Sequence, residues 1–229
     1  MIGTAGSVLG RAQTLLAEDA RHMVLAQSES RVTMPADRYS TFSELFRHET
    51  AGSDYRIEAR HVTNSAVVMA PHGGRIEPGT SEIARSVAQD DKSLYLFEGV
   101  RARLRHHELH VTSHLYDEPL ALEIAARTDR LVAFHGRADR DDPETVWIGG
   151  LDTDLSGLIL DHVVRAGFVG RLQQGELAGT HPNNICNRAR SGRGVQVELP
   201  RALRNRLMKE QESLVQFASA VRNALEDLI

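Results

Sequence analysis

The sequence is poor in the residue types that cross-link a protein or anchor it in a membrane. Its 229 residues include one cysteine and one tryptophan, and aromatic residues make up 5%. The single thiol, Cys186, excludes an internal disulfide and fits a reducing compartment. No apolar run approaches the roughly 18 residues of a membrane span, and Arg11, Glu18 and Asp19 interrupt the apolar core that a signal peptide needs. We therefore expect a soluble, cytoplasmic protein.

Nucleotide-binding signatures and an excess of positive charge are also missing. No Gly-x-Gly-x-x-Gly follows a predicted strand, and the glycines near the N-terminus lack the Gly-Lys-Ser/Thr ending of a phosphate-binding loop. The net charge of −4 gives no reason to expect nucleic acid or anionic lipid as a partner. Hydrophobic residues at 41% and charged residues at 25% are typical of a globular protein. The composition thus predicts a compact fold without nucleotide chemistry.

The chain divides into a short N-terminal region and one larger domain. Apolar residues recur at helical spacing over residues 7–27, and a polar stretch with Pro35 follows. We therefore predict a helical extension and linker at 1–38 and a single domain at 39–229.

Within this domain, short apolar runs alternate with amphipathic segments. Strands are predicted at 55–59, 66–70, 94–97, 109–111, 131–134, 145–148, 169–172 and 195–199, and helices at 80–89, 119–127, 153–166 and 201–228. This alternation predicts an α/β fold with a mixed, mostly parallel sheet and helices on both faces. Ligands of such sheets bind beyond the carboxyl ends of the strands, so residues that follow strands are the candidates for a site.

The first candidates follow the strand at 66–70, which Pro71 is predicted to end. His72 and Glu77 stand there on either side of a Gly-Gly pair. Because glycine tolerates tight turns, this loop can fold back and aim both side chains at one point, which suits a metal ion. The alternative is a surface loop whose glutamate favours the start of the next helix.

Two further strands supply a third ligand and a carboxylate. His135 directly follows the strand at 131–134, and two imidazoles with one carboxylate form the open ligand set of a catalytic zinc. Glu198 alternates with apolar residues in the strand at 195–199, so it is either on a solvated face or the general base for a zinc-bound water. His135 could equally be an ordinary loop histidine.

Several segments occur in the order and approximate spacing of a known family. They read APHGGRIEPGTSEIA, SLYLFEG, LHVTSHLYDEP, VAFHG and NNICNRARSGRGVQVELP. From about residue 39 to 204 the sequence resembles the phage-type poly-γ-glutamate hydrolases, which are similar to zinc carboxypeptidases in fold and hydrolyse γ-glutamyl amide bonds. The resemblance implies that His72, Glu77 and His135 bind Zn²⁺ and that Glu198 is the general base.

One departure from the family concerns a histidine. The family has Thr-Ser-Thr-His-Phe before its Asp-Glu-Pro tripeptide, whereas His114 here stands one position earlier. One step along a strand reverses the face of a side chain. We therefore expect His110 and His114 to pack as ordinary strand or loop residues.

A γ-linked glutamate polymer carries one free α-carboxylate per residue, and a loop rich in arginine and asparagine precedes the strand at 195–199. Arg188 is the first candidate for binding a carboxylate because its planar fork can donate two hydrogen bonds, with Asn184 and Asn187 as supporting donors. The alternative is a mobile basic loop. The expected partner is an anionic γ-glutamyl polymer or peptide. A related zinc amidase or carboxypeptidase with another acyl-amino acid or peptidoglycan-like substrate, and a non-catalytic accessory protein of the same fold, remain open.

Overall fold

The protein is described from a computed structural model, which covers residues 37–63, 65–102 and 105–227. The predicted helix at 7–27 lies outside the described residues. The strands are β1 (Tyr55–Arg60), β2 (Val67–Gly74), β3 (Ser93–Gly99), β4 (Leu131–Arg137), β5 (Val146–Gly150), β6 (Gly170–Leu172) and β7 (Val195–Pro200). The helices are α1 (Phe42–His48), α2 (Thr80–Ala88), α3 (Pro119–Ala125), α4 (Thr153–Arg165), α5 (Arg201–Lys209) and α6 (Gln211–Glu226). No described helix is long and apolar enough to span a membrane.

The strands form one mixed sheet in the order β1-β3-β2-β4-β7-β5-β6. The four central strands β3, β2, β4 and β7 are parallel, whereas β1 is antiparallel to β3 and β5 is antiparallel to β7. Strand β6 lies at the far edge and is parallel to β5. The predicted mixed, mostly parallel sheet is therefore confirmed.

Helices cover both faces of this sheet, and each face has its own apolar core. Side chains such as Val68 and Phe134 pack on the lower face with residues of α2, α4, α5 and α6. Alternate side chains such as Met69 and Ala133 pack on the upper face with residues of α1 and α3. Because successive strand residues point to opposite faces, the continuous apolar runs of β2 and β4 supply both cores at once.

The predicted strand at 109–111 is wrong. His106–Leu109 and Ser113–Leu115 are short 3₁₀ helices, and no described strand lies between them. Leu109 and Val111 are nevertheless fully buried in the upper core. Burial on one side of a loop produced the alternating pattern without any strand pairing.

The predicted helix at 201–228 is interrupted. Glu210, between α5 and α6, has extended backbone angles of φ −115° and ψ 92°. Both segments bury apolar residues in the lower core, so the sequence pattern continues across the break.

Strand β2 also continues past Pro71, contrary to prediction, and it contains a β-bulge. The ladder with β3 advances from Ala70 to Gly73 while the partner advances only from Leu96 to Glu98. Because of this extra residue, the following side chains point to the face opposite to the one that regular alternation would give. Proline is tolerated there because a bulge leaves one N–H out of the ladder. The bulge therefore moves His72 from the lower face to the upper face.

Candidate active site

Adjacent parallel strands bring the candidate residues to one edge of the upper face. His135 on β4 and Glu198 on β7 are direct register partners, so both side chains point to the same face. His72 comes from β2 on the other side of β4. Glu77 returns to this edge because its N–H donates to the His72 carbonyl oxygen at 2.9 Å, which closes the loop between them.

Donor atoms of His72, Glu77 and His135 all lie within 4.8 Å of one another. The Nδ1 atoms of the two histidines are 3.1 Å apart, and glutamate oxygens lie 3.4 Å from Nδ1 of His72 and 3.9 Å from Nδ1 of His135. Two ligands that each lie about 2.0–2.1 Å from a tetrahedral zinc are separated by about 3.3 Å. The donor triangle therefore has the size that a zinc ion requires.

Hydrogen bonds fix the orientation of two of these ligands. The Nε2 atom of His72 donates to the Val111 carbonyl oxygen at 2.8 Å, which leaves the lone pair of Nδ1 facing the site. The Oε2 atom of Glu77 accepts the Gly136 N–H at 2.8 Å. The buried loop residue Val111 is thus a support of the site, although we expected it in a strand.

Charge states in the site also suit metal binding. Burial and the neighbouring His72 lower the pKa of His135 to about 3, so this imidazole is neutral near pH 7. Burial alone would raise the pKa of Glu77, but His72 and His135 lower it to about 2. The site therefore offers a neutral imidazole and an ionised carboxylate, which are the forms that bind Zn²⁺.

Glu198 differs from Glu77 in its electrostatics. Burial is the largest cause that raises the pKa of Glu198, to about 8, and the negative charge of Glu77 is the second. The positive charges of Arg137 and Arg204 oppose this shift. The Oε1 atom of Glu198 accepts a hydrogen bond of 3.0 Å from Nε2 of Gln196. A carboxyl group that is held in place and exchanges a proton near neutral pH can serve as a general acid or base.

The predicted substrate residues fall into different environments. Asn184 donates to Oε1 of Gln196 at 2.8 Å and so supports Glu198 indirectly. The Arg188 side chain is exposed and makes no hydrogen bond or ion pair with the described residues. Asn187 is buried, and its amide group donates to the carbonyl oxygens of Gly179 and His181. Its amide hydrogens are already used inside the protein, so Asn187 supports the loop and is not the free donor that we expected.

The sequence analysis gave two residues near the site no part in it, since it expected His110 to pack as an ordinary strand or loop residue and did not single out Arg204. The His110 ring lies 4.0 Å from the ring of His72, and its Nδ1 lies 2.7 Å from Oδ1 of Asp37. Arg204, 3% exposed, donates to the carbonyl oxygens of Pro78, Leu199 and Arg137. This guanidinium therefore connects backbone segments next to Glu77, Glu198 and His135. No local pattern distinguishes Arg204 from the other arginines of its helix.

Comparison with known proteins assigns the chain to a family. The sequence pattern of the poly-gamma-glutamate hydrolases matches residues 39–223. The chain belongs to this family of hydrolases. It is 35% identical to the SPbeta prophage-derived protein YoqZ of Bacillus subtilis (strain 168) over 86% of this chain and 68% of YoqZ. It is 34% identical to YmaC of the same organism over 83% of this chain and 84% of YmaC.

Solved structures of family members have the same fold. A bacteriophage poly-gamma-glutamate hydrolase, 32% identical, superposes with a TM-score of 0.79 over 84% of this chain and 98% of that chain. A zinc-free form of YndL, 31% identical, superposes with a TM-score of 0.77 over 84% of this chain and 99% of that chain. The family resemblance drawn from the sequence motifs is confirmed.

Proposed function

We propose that the protein is a zinc-dependent hydrolase that cleaves γ-glutamyl amide bonds in poly-γ-glutamate. The observation that carries the proposal is the donor triangle of His72, Glu77 and His135, with Glu198 in register beside His135. Two imidazoles and one carboxylate leave a coordination position free for a water molecule or the substrate. The solved zinc-free form of YndL and the named activity of the phage enzyme support the choice of metal and substrate.

Zinc bound to this triad would supply a Lewis acid that polarises the scissile carbonyl and acidifies water. Glu198 would accept a proton from the attacking water and then donate it to the departing amine nitrogen, so that one water is consumed per bond. Gln196 holds one carboxylate oxygen during this exchange. Positive charge between the three ligands would lower the pKa of Glu198 from its metal-free value and favour its basic form near pH 7.

Binding of the polymer is proposed to involve Arg188. Its guanidinium is exposed on the loop that also holds Asn184, and a bidentate pair with an α-carboxylate fits its geometry. The second amide hydrogen of Asn184 is available for the same substrate group because only one of them donates to Gln196.

The proposal is tested with purified protein, poly-γ-glutamate and a chelator. Polymer length should fall with the zinc-loaded protein and stay constant after chelation. Replacement of Glu198 by Gln should abolish turnover with about one zinc per chain retained, whereas His72→Ala and His135→Ala should lose the metal. The exposed helix residue Glu82 provides the matched control, because Glu82→Gln should leave both zinc and activity unchanged.

Other outcomes identify the alternatives. Zinc binding with cleavage of a peptidoglycan-like γ-glutamyl substrate, but not of the polymer, would indicate a related amidase. A protein that binds the polymer but holds no metal would be an accessory protein, and the proposed reaction would be wrong. Near-normal turnover of the Glu198→Gln protein would remove this residue from the role of general base.

A further inference from the structure

A row of registered residues extends from the proposed metal centre to the edge of the sheet. His135 on β4 pairs with Glu198 on β7, Glu198 pairs with Trp147 on β5, and Trp147 pairs with Arg171 on β6. Register partners in neighbouring strands point to the same face, so all four side chains lie on the upper face. The row thus leads from a metal ligand, past the proposed base, to an aromatic ring and an exposed arginine.

Trp147 is a fixed platform in this row. Its indole Nε1 donates to Oδ2 of Asp142 at 2.9 Å. The guanidinium of Arg137 lies 3.9 Å from the centre of the indole ring and forms an ion pair of 3.0 Å with the same Asp142. Asp142 therefore balances the charge of Arg137 and holds the ring that Arg137 contacts.

Arg171 rests on this platform with its charge unpaired. Its guanidinium lies 4.5 Å from the centre of the Trp147 ring, and it forms no ion pair with a carboxylate in the described part of the chain. The exposed Arg190 and Arg127, by contrast, pair with Asp129 and Glu123. Contact with an aromatic face leaves the N–H groups at the edge of a guanidinium free for an anion.

The distance along the row suits a γ-linked polymer. Neighbouring strands lie about 4.8 Å apart, so β6 is about 10 Å from β7. An α-linked residue spans about 3.5 Å with its three backbone bonds, so a γ-linked residue with five bonds spans about 6 Å. At about 6 Å per unit, a distance of about 10 Å brings Arg171 level with the second polymer unit from a bond held beside Glu198.

We propose that Arg171, held on Trp147, binds the α-carboxylate of the second glutamate unit from the scissile bond. This subsite rests on the proposed function and is separate from the contact proposed for Arg188. It gives the enzyme a preference for polymers over short γ-glutamyl peptides, because only a longer chain reaches from Glu198 to the edge of the sheet.

Equilibrium binding tests the subsite independently of turnover. Fluorescent poly-γ-glutamate is titrated into zinc-loaded Glu198→Gln protein, with and without the further change Arg171→Gln. Loss of one charge-assisted contact should raise Kd about tenfold. Trp147→Leu, which removes the aromatic ring that Arg171 contacts, should also raise Kd. The exposed Arg165 on α4 provides the control, and Arg165→Gln should leave Kd unchanged. An unchanged Kd in the Arg171→Gln protein would overturn the subsite.

Turnover then separates a binding role from a structural one. In the protein with an intact Glu198, Arg171→Gln should raise KM for the polymer with unchanged kcat and zinc content. The same change should not affect cleavage of a γ-glutamyl dipeptide, which is too short to reach β6. An equal loss on the dipeptide would show a structural effect and overturn the proposal. If the wild-type protein fails to shorten the polymer while the binding difference persists, the proposed reaction fails and the subsite stands.

Discussion

Replacement of Gly136 by alanine should destabilise the protein strongly. A Cβ atom at this position would lie 2.5 Å from Cζ of Arg204, which is too close for any real contact. The buried guanidinium must then move away from the carbonyl oxygens to which it donates. Each buried hydrogen bond to a charged group contributes about 1.5–3 kcal/mol, so loss of two should lower the free energy of unfolding by about 3 kcal/mol or more.

A second glycine provides the control with the opposite sign. Gly157 lies inside α4, and a Cβ there would meet no atom within 4 Å. Gly157→Ala should therefore raise the free energy of unfolding by about 0.5–1 kcal/mol, the usual gain for alanine over glycine in a helix. Urea unfolding of both variants in chelator gives the comparison, provided that the slope of the transition is unchanged. A Gly136→Ala protein as stable as the wild type would refute the role assigned to Arg204.

Two further predictions concern a pH-dependent pair and the substrate loop. Burial opposes ionisation of Asp37, but His110 and Thr112 lower its pKa from 3.8 to about 2, so its contribution is present above pH 3.8 and is lost as pH falls towards 2. Asp37→Asn should therefore cost about 1–2 kcal/mol at pH 7 and much less at pH 2–3 in urea unfolding; a difference independent of pH would contradict this. Arg188→Ala should raise KM for poly-γ-glutamate several-fold, whereas Arg190→Ala should change it little because Arg190 already pairs with a surface aspartate. Equal effects of the two changes on KM would argue against a specific role of Arg188.

The sequence was sufficient to predict the general fold and the position of the site. Apolar runs located the central strands, and the residues that follow them include His72 and His135, which the structure brings together with Glu77. This worked because the carboxyl ends of parallel strands meet at one edge, whatever the details of their packing.

The supporting residues could not be predicted in this way. The role of Arg204 depends on how α5 lies beneath Gly136, and the row that ends at Arg171 depends on the register of β6 with β5. Both are relations between distant segments, and hydrophobic periodicity contains no information about them. Leu109 and Val111 show the opposite failure, since burial against the upper core imitated the alternation of a strand.

The bulge in β2 makes the candidate site depend on a backbone irregularity as well as on residue types. In a strand that paired regularly, the same Ala-Pro-His order would keep every side chain that the chemistry needs. The imidazole, two residues after Ala70, would then point into the apolar layer beneath the sheet, where Ala70 packs. Anyone who grafts this motif onto another scaffold must therefore preserve the irregularity together with the histidine.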